Sequence, residues 1–368
     1  MRLPSFNELL EEQRRVFLAD PEQSILVVGP PGSGKTSVAL WKANILAGPE
    51  YRRRVTIVTK NRLLAALATQ ISQDQGNSPI TSTTMHSLVW NDYSDRVGGT
   101  FPQWWKYNWN WPQVLQNYEA RNVRPIIDHL IVDEGQNLPR EFFIWARRFG
   151  ATTVSVFADE NQSTEAGGCH VADLQAAGFT EILPLTVNHR NTQEIADLVE
   201  RFHQNRNIPV VPAQRGRSNE PPRLVAVNGW EQLAQQVAVR FRNRGGSIGV
   251  IVRHVDEVGI VYALVKGMLV GARVDMYTHL SEPDEEDAIR LRDPGVTVIT
   301  GESAIGLEFD TVYLQDLERS LPINQAVRER RLYMLCARAR DTLLLVNGPT
   351  PLGAAQLASL PPPPVLDR

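Results

Sequence analysis

Short apolar runs alternate along this chain with stretches whose apolar residues recur at helical intervals. The runs that predict strands are Ile25–Val28, Val55–Thr59, Ile126–Val132, Thr153–Ala158 and Ile182–Leu185. A second series follows at Arg223–Val227, Ser247–Val252, Arg273–Tyr277, Gly295–Thr300, Thr311–Leu314 and Thr342–Val346. Val38–Leu46, Thr192–Gln204, Trp230–Asn243 and Asn324–Arg338 carry the helical spacing between them. Alternation of this kind predicts an α/β protein, with parallel sheets covered by helices on both faces. Two series imply two lobes, with the change near residues 180–190. We bound them at 1–182 and 183–350, followed by a Pro-rich tail at 351–368.

Three stretches break the rhythm. Residues 88–124 are rich in Trp and polar groups and offer no clear strand, so they read as a small insertion in the first lobe. Residues 205–222, with prolines and scattered arginines, predict an exposed connection. Pro361–Pro364 predicts a disordered end.

Composition narrows the class only a little. The chain has 368 residues, 42% hydrophobic and 21% charged, with a formal net charge of -3. These are ordinary values for a globular protein of about two domains. No global basic field marks a nucleic-acid partner. Only five of the cationic side chains are Lys, a bias that genome composition explains as well as phosphate binding does. Cys169 and Cys336 are too few and too isolated to frame a metal site, and they suit a reducing cytoplasm. No apolar stretch reaches membrane-spanning length, and Met1–Leu10 lacks a basic-then-apolar leader pattern. A cytoplasmic protein with no membrane partner is expected.

The strongest local chemistry lies after the first predicted strand. Gly29-Pro30-Pro31-Gly32-Ser33-Gly34-Lys35-Thr36, with Ser37 behind it, matches G-x-x-x-x-G-K-T between a strand and a helix. Glycines let backbone N–H groups converge on phosphate oxygens at the positive end of the helix. Lys35 would reach the β- and γ-phosphates of ATP, and the Thr36 hydroxyl would ligate Mg²⁺. Asp133-Glu134 follows the strand ending at Val132. An acid at a strand end beside such a loop holds the metal, which assigns Asp133 to Mg²⁺. Its neighbour Glu134 is placed to deprotonate the attacking water.

Trp90, Trp104, Trp105, Trp109 and Trp111 concentrate in or beside the insertion, interleaved with Lys106, Tyr107 and Asn108. Aromatics beside a cation can stack bases. The same residues could instead build a small satellite core, or a surface for a protein partner. All three readings stand at this point, and Trp104 with Trp105 are the candidate base-stacking pair.

Taken in order, the phosphate loop, Asp133-Glu134-Gly135-Gln136, Asn188-His189-Arg190 and Gly306-Leu307-Glu308-Phe309-Asp310 resemble the motifs of superfamily 1 helicases, most closely the UvrD/Rep/PcrA branch. The likeness runs from about Asn7 to Val346. It implies two RecA-like parallel-sheet lobes with the ATP cleft between them. It further implies that Gln13 reads adenine, that Gln136 and Gln162 sense the γ-phosphate, and that Thr84 and His86 touch a single strand. Glu308 resembles the glutamate that contacts ribose or water. Arg190 and Arg338 take the places of the cations that stabilise the transferring phosphate, and His189 that of an aromatic stacked on the base.

The departures are equally specific. Gln162 is followed by Ser163-Thr164-Glu165-Ala166-Gly167-Gly168, without the usual aromatic. Glu302 and Ile305 stand where the fifth motif has His and Lys, and an acid there would repel a phosphate backbone. Met85 replaces an aromatic and Ala337 a Thr. Residues 88–124 replace a large first accessory domain, and no room remains for a second. The resemblance therefore implies a reduced ATP-dependent single-strand translocase or helicase, with DNA favoured over RNA and 3′-to-5′ polarity by analogy. The alternative is an ATPase switch or assembly subunit acting on a protein partner such as a nuclease, without unwinding.

Overall fold

The computed structural model describes residues 8–59, 62–74, 80–105, 108–159, 169–202, 213–282 and 285–368. Gln162, the residues 163–168 after it, Lys106 and Tyr107 lie outside the described residues. The chain divides into two units, described in turn: Pro4–Gly29 with Lys35–Leu185, the N-terminal lobe, and Pro30–Gly34 with Thr186–Arg368, the C-terminal lobe.

The N-terminal lobe runs α1 (Glu11–Leu18), β1 (Ile25–Val28), α2 (Lys35–Ala47), β2 (Val55–Val58), α3 (Arg62–Asp74), β3 (Thr81–Thr83) and α4 (Met85–Arg96). It continues through β4 (Gln103–Trp105), β5 (Asn108–Trp109), α5 (Trp111–Ala120), β6 (Ile127–Val132), α6 (Arg140–Trp145), β7 (Ala151–Ala158), α7 (Val171–Ala176) and β8 (Glu181–Pro184). Among the described residues its main sheet has the order β3-β2-β6-β7-β1-β8, with every pair parallel. Strands buried on both faces must be apolar nearly throughout, and Ile25–Val27 and Leu130–Val132 are fully covered. Because β7 lies between β1 and β6, the phosphate loop, the acidic pair and Asp159 all leave the carboxyl edge of one continuous sheet.

One polar residue in β6 makes the lobe sensitive to acid. His129 is fully buried, with its Nε2 2.8 Å from Ser155 Oγ on β7. Burial, then the charges of Lys42 and Arg53, lowers its pKa to about 3. The folded protein therefore keeps His129 neutral while the unfolded chain takes up a proton below about pH 6.5. Stability contributed by neutral His129 is complete above that value and is lost as pH falls toward 3. Between pH 6.5 and 5 this amounts to roughly 2 kcal/mol. Urea melts across that range should show the loss, and His129→Gln should flatten the slope. An unchanged slope in the variant would remove His129 as its source.

The insertion corrects one expectation, because it does contain strands: β4 and β5 pair antiparallel. Two of its tryptophans are core. Trp109 packs on Phe101 (centroids 4.6 Å apart) and Trp111 (5.2 Å), both tryptophans are buried, and Tyr118 lies deeper against Trp145 and Phe149. Trp104 and Trp105, by contrast, are 63% and 66% exposed. Trp109→Ala should therefore cost about 3–5 kcal/mol in a urea melt. Trp104→Ala combined with Trp105→Ala should cost less than about 1 kcal/mol. The opposite ranking would overturn this division between core and surface.

The C-terminal lobe contains α8 (Gln193–Glu200), β9 (Arg223–Ala226), α9 (Trp230–Arg244), β10 (Ser247–Val252), α10 (Val255–Met268) and β11 (Val274–Tyr277). It ends with β12 (Gly295–Thr300), β13 (Phe309–Leu314), α11 (Ala326–Cys336), β14 (Ala339–Asn347) and α12 (Ala354–Ala358). Its described sheet is again parallel, in the order β11-β12-β10-β13-β14-β9. Val250, Val298 and Ile248 form its centre with Val237 and Val261 of the covering helices. The tail is ordered, contrary to the sequence expectation. Leu224 N–H donates to Asp367 O at 2.7 Å, Asp367 N–H donates to Pro222 O at 2.8 Å, and Leu360 and Leu366 are buried. Apolar anchors on either side of the prolines outweigh what the prolines suggest by composition.

Candidate functional site

In the N-terminal lobe, Gly29 N–H donates to Ala158 O at 3.2 Å, which ties the start of the loop to the end of β7. Lys35 and Thr36 open α2, where the first backbone N–H groups of a helix have no intrahelical acceptor. The buried Lys35 ammonium donates to Gly29 O at 2.7 Å and stands 3.6 Å from Asp159 Oδ2. The Thr36 hydroxyl donates to Asp133 Oδ2 at 2.8 Å, so the loop helix and the end of β6 meet on buried atoms. Ser37 is buried beside them.

The acidic pair is held tightly. Glu134 has φ 56° and ψ 39°, the left-handed region that a non-glycine residue enters at a cost. Gln136 Nε2 donates to Glu134 Oε2 at 2.6 Å, and Gln136 Oε1 accepts from Asp159 N–H at 2.9 Å. This amide thus links the candidate base to the end of β7. Burial, and next the Glu134 carboxylate, pushes Asp133 up to about 6, with Thr36 and Lys35 opposing. Two buried carboxylates with few compensating cations favour a hard divalent ion. Thr36 and Asp133 supply the oxygen donors that suit Mg²⁺, which keeps most of its water. The residues fit the ion. Among the described residues no cluster of three or more His, Cys, Asp or Glu offers an alternative metal site.

The remaining candidates of this lobe have local partners. Gln13 is buried, and its Oε1 accepts from Leu10 N–H at 3.0 Å at the start of α1. Thr84 caps α4, its Oγ1 accepting from Ser87 N–H at 3.2 Å. His86 packs edge-on against Trp109, with centroids 4.9 Å apart. Trp104 and Trp105 are not drawn into any of these groups.

The tip of the phosphate loop belongs to the other unit. There, Gly32 has φ +79°, and a Cβ on it would lie 2.2 Å from Asn188 Oδ1, so only glycine fits. His189 N–H donates to Gly32 O at 3.2 Å, and its Nε2 lies 2.8 Å from Ser33 O. Ser33 Oγ donates to Pro30 O at 2.8 Å and closes the turn that Pro30 and Pro31 begin. Gly34, at φ +84°, is the second left-handed glycine of the loop. Asn188 Oδ1 accepts from the N–H groups of Arg190 and Asn191, and Asn191 Nδ2 reaches Ala337 O and Ala339 O. Arg190 Nε pairs with Glu308 Oε2 at 2.7 Å, both almost buried. Arg338 is buried as well, with Nε donating to Met334 O at 2.9 Å. Asp159 and Asn191 were not anticipated, and Asn188 was named only as part of a motif, with no role. The signal for Asp159 was its place at the end of a predicted strand, as for Asp133.

Glu302 also departs from expectation. It does not present a bare acid, because Arg319 and Arg331 both donate to it. Partial burial would raise its pKa, yet Arg331 and Arg319 hold it below the usual carboxylate range.

These features define a two-lobed α/β protein with a parallel sheet in each lobe and a phosphate-loop motif at the carboxyl edge of the N-terminal sheet. A family model described as an AAA domain matches residues 12–168. No curated protein matches the chain. Among solved structures, the PRRSV helicase is similar at 14% identity, covering 95% of this chain and 57% of that one, with a TM-score of 0.43. The C-terminal domain of a possible DNA helicase from Lactobacillus plantarum WCFS1 is similar at 22% identity, covering 49% of this chain and 98% of that one, with a TM-score of 0.35. The chain thus spans little more than half the length of the PRRSV helicase chain. Among the described residues no helix is long and apolar enough to cross a membrane.

Proposed function

We propose that the protein hydrolyses ATP with Mg²⁺ and uses the energy on single-stranded nucleic acid, as a reduced superfamily 1 translocase or helicase of UvrD/Rep/PcrA type. The observation that carries the reading is the buried hydrogen bond from Thr36 to Asp133, with Glu134 held in a strained backbone beside it. In this reading the loop N–H groups and Lys35 bind the β- and γ-phosphates, while Thr36 and Asp133 hold the ion. When bound there, Mg²⁺ would neutralise part of the phosphate charge. Glu134 takes the proton of the attacking water, and Gln136 fixes its orientation. Arg190 and Arg338 offset charge on the transferring phosphoryl group, with Gln162 as the γ-phosphate sensor. Gln13, His189 and Glu308 contact the nucleoside, and Thr84, His86, Trp104 and Trp105 the strand. DNA is the favoured strand and 3′-to-5′ the favoured polarity, both by the motif resemblance.

Phosphate release from ATP should require Mg²⁺ and stop when EDTA is added. Equal turnover in EDTA would remove the metal assignment. The exposure of Trp104 and Trp105 also supports a second reading, an ATP-driven switch that docks a protein such as a nuclease.

A further inference from the structure

The loops after β12, β10 and β13, three neighbouring strands of the C-terminal sheet, carry charged side chains in contact. Arg319 Nη1 and Arg331 Nη2 converge on one oxygen, Glu302 Oε1, at 2.5 and 3.2 Å. Arg331 also donates to Asp316 Oδ2, and Arg253 pairs with Glu318. Around Glu302 two cations, Arg319 and Arg331, face two anions, Glu302 and Asp316, so this cluster is formally neutral, with Arg253–Glu318 a separate pair.

Its hydrogen bonding is incomplete. Arg331 Nε, Arg253 Nε and Asp316 Oδ1 are buried without a hydrogen-bond partner. A guanidinium offers five donors in a planar fork that suits two oxygens of a carboxylate or phosphate. Here Arg319 and the Arg331 nitrogen that also binds Asp316 meet at a single Glu302 oxygen, leaving the rest of each fork to other acceptors. Asp316 is wholly buried and pairs with Arg331, whereas the Glu302 side chain is 47% exposed. The carboxyl edge of a parallel sheet is also where open α/β folds bind ligands.

We propose that Arg319 and Arg331 form a binding site for a backbone phosphate of single-stranded nucleic acid, and that Glu302 fills this site as an internal substitute for the phosphate. The proposal rests on the single-strand reading above and adds a residue-level account of its affinity. A phosphodiester supplies two free oxygens to the two forks, and Glu302 swings into solvent when it is displaced. The acid that ought to repel a strand thus acts as a competitor that sets how tightly one binds.

The test uses the full chain and a fluorescent oligo-deoxythymidylate, with anisotropy read over a range of salt. Glu302→Gln should bind about 3- to 10-fold tighter than wild type, with a log–log salt slope steeper by about 0.7. Glu302→Asp, which keeps the charge, should stay near wild type. Arg319→Ala should weaken wild-type binding and cancel the gain in the Glu302→Gln background. Because Arg319 is partly exposed, that variant tests the idea even if Glu302→Gln folds poorly. If wild type binds the strand and neither Glu302→Gln nor Arg319→Ala changes the affinity, the inference fails and the strand reading survives. If neither wild type nor Glu302→Gln binds any strand, both fail.

Discussion

Replacing Lys35 by alanine is expected to weaken ATP binding by roughly 30- to 1000-fold, or about 2–4 kcal/mol. The ammonium is buried at the first turn of α2, 2.7 Å from Gly29 O and 3.6 Å from Asp159 Oδ2. Shielded from solvent, its attraction to a triphosphate is far stronger than for an exposed pair. Loop N–H groups alone cannot supply a full positive charge, so the loss should appear mainly in Kd. Removing the lysine also leaves Asp159 with less compensation, and a thermal melt run alongside separates that effect. Isothermal titration with ATP and Mg²⁺ gives the decisive number. Wild-type affinity in a folded Lys35→Ala protein would overturn the phosphate-loop assignment.

Glu134→Gln should lower kcat by about 10²–10⁴-fold and leave ATP affinity within a few-fold of wild type. The substitution is nearly isosteric. A glutamine carbonyl at this place can still accept from Gln136 Nε2, which now donates to Glu134 Oε2 at 2.6 Å. Local geometry is thereby kept while the proton acceptor is lost. The strained backbone at Glu134 points the same way, since a fold keeps such a conformation where the side chain must be aimed. Single-turnover phosphate release measures the step directly. A kcat near wild type would remove Glu134 as the base, and a large rise in Kd would move its role to binding.

Both sheets were legible in the sequence because strands covered on two faces are written as unbroken apolar runs. Ile25–Val28 and Ser247–Val252 have the predicted bounds. β3 escaped because Thr81-Ser82-Thr83 is polar and sits at a sheet edge. β4 and β5 escaped because Trp and Asn carry no alternation over so few residues. The phosphate loop and Asp133-Glu134 were legible as candidates because each is a pattern of adjacent residues after a predicted strand, and the fold brings Thr36 and Asp133 together. The partners of the other charged groups were not. Arg190 meets Glu308 across more than a hundred residues, and Glu302 meets Arg319 and Arg331 only once β12, β13 and α11 have packed. The acid at Glu302 was visible, but its neutralisation was a property of the fold.

The central claim is that ATP turnover on this loop is coupled to a single strand. Steady-state phosphate release, titrated with single-stranded DNA and separately with RNA at fixed salt, tests it most directly. The account predicts that turnover rises and saturates with the strand, and at lower concentrations of DNA than of RNA. Mg²⁺-dependent turnover that no strand alters would contradict it and leave the protein-directed switch as the reading to pursue.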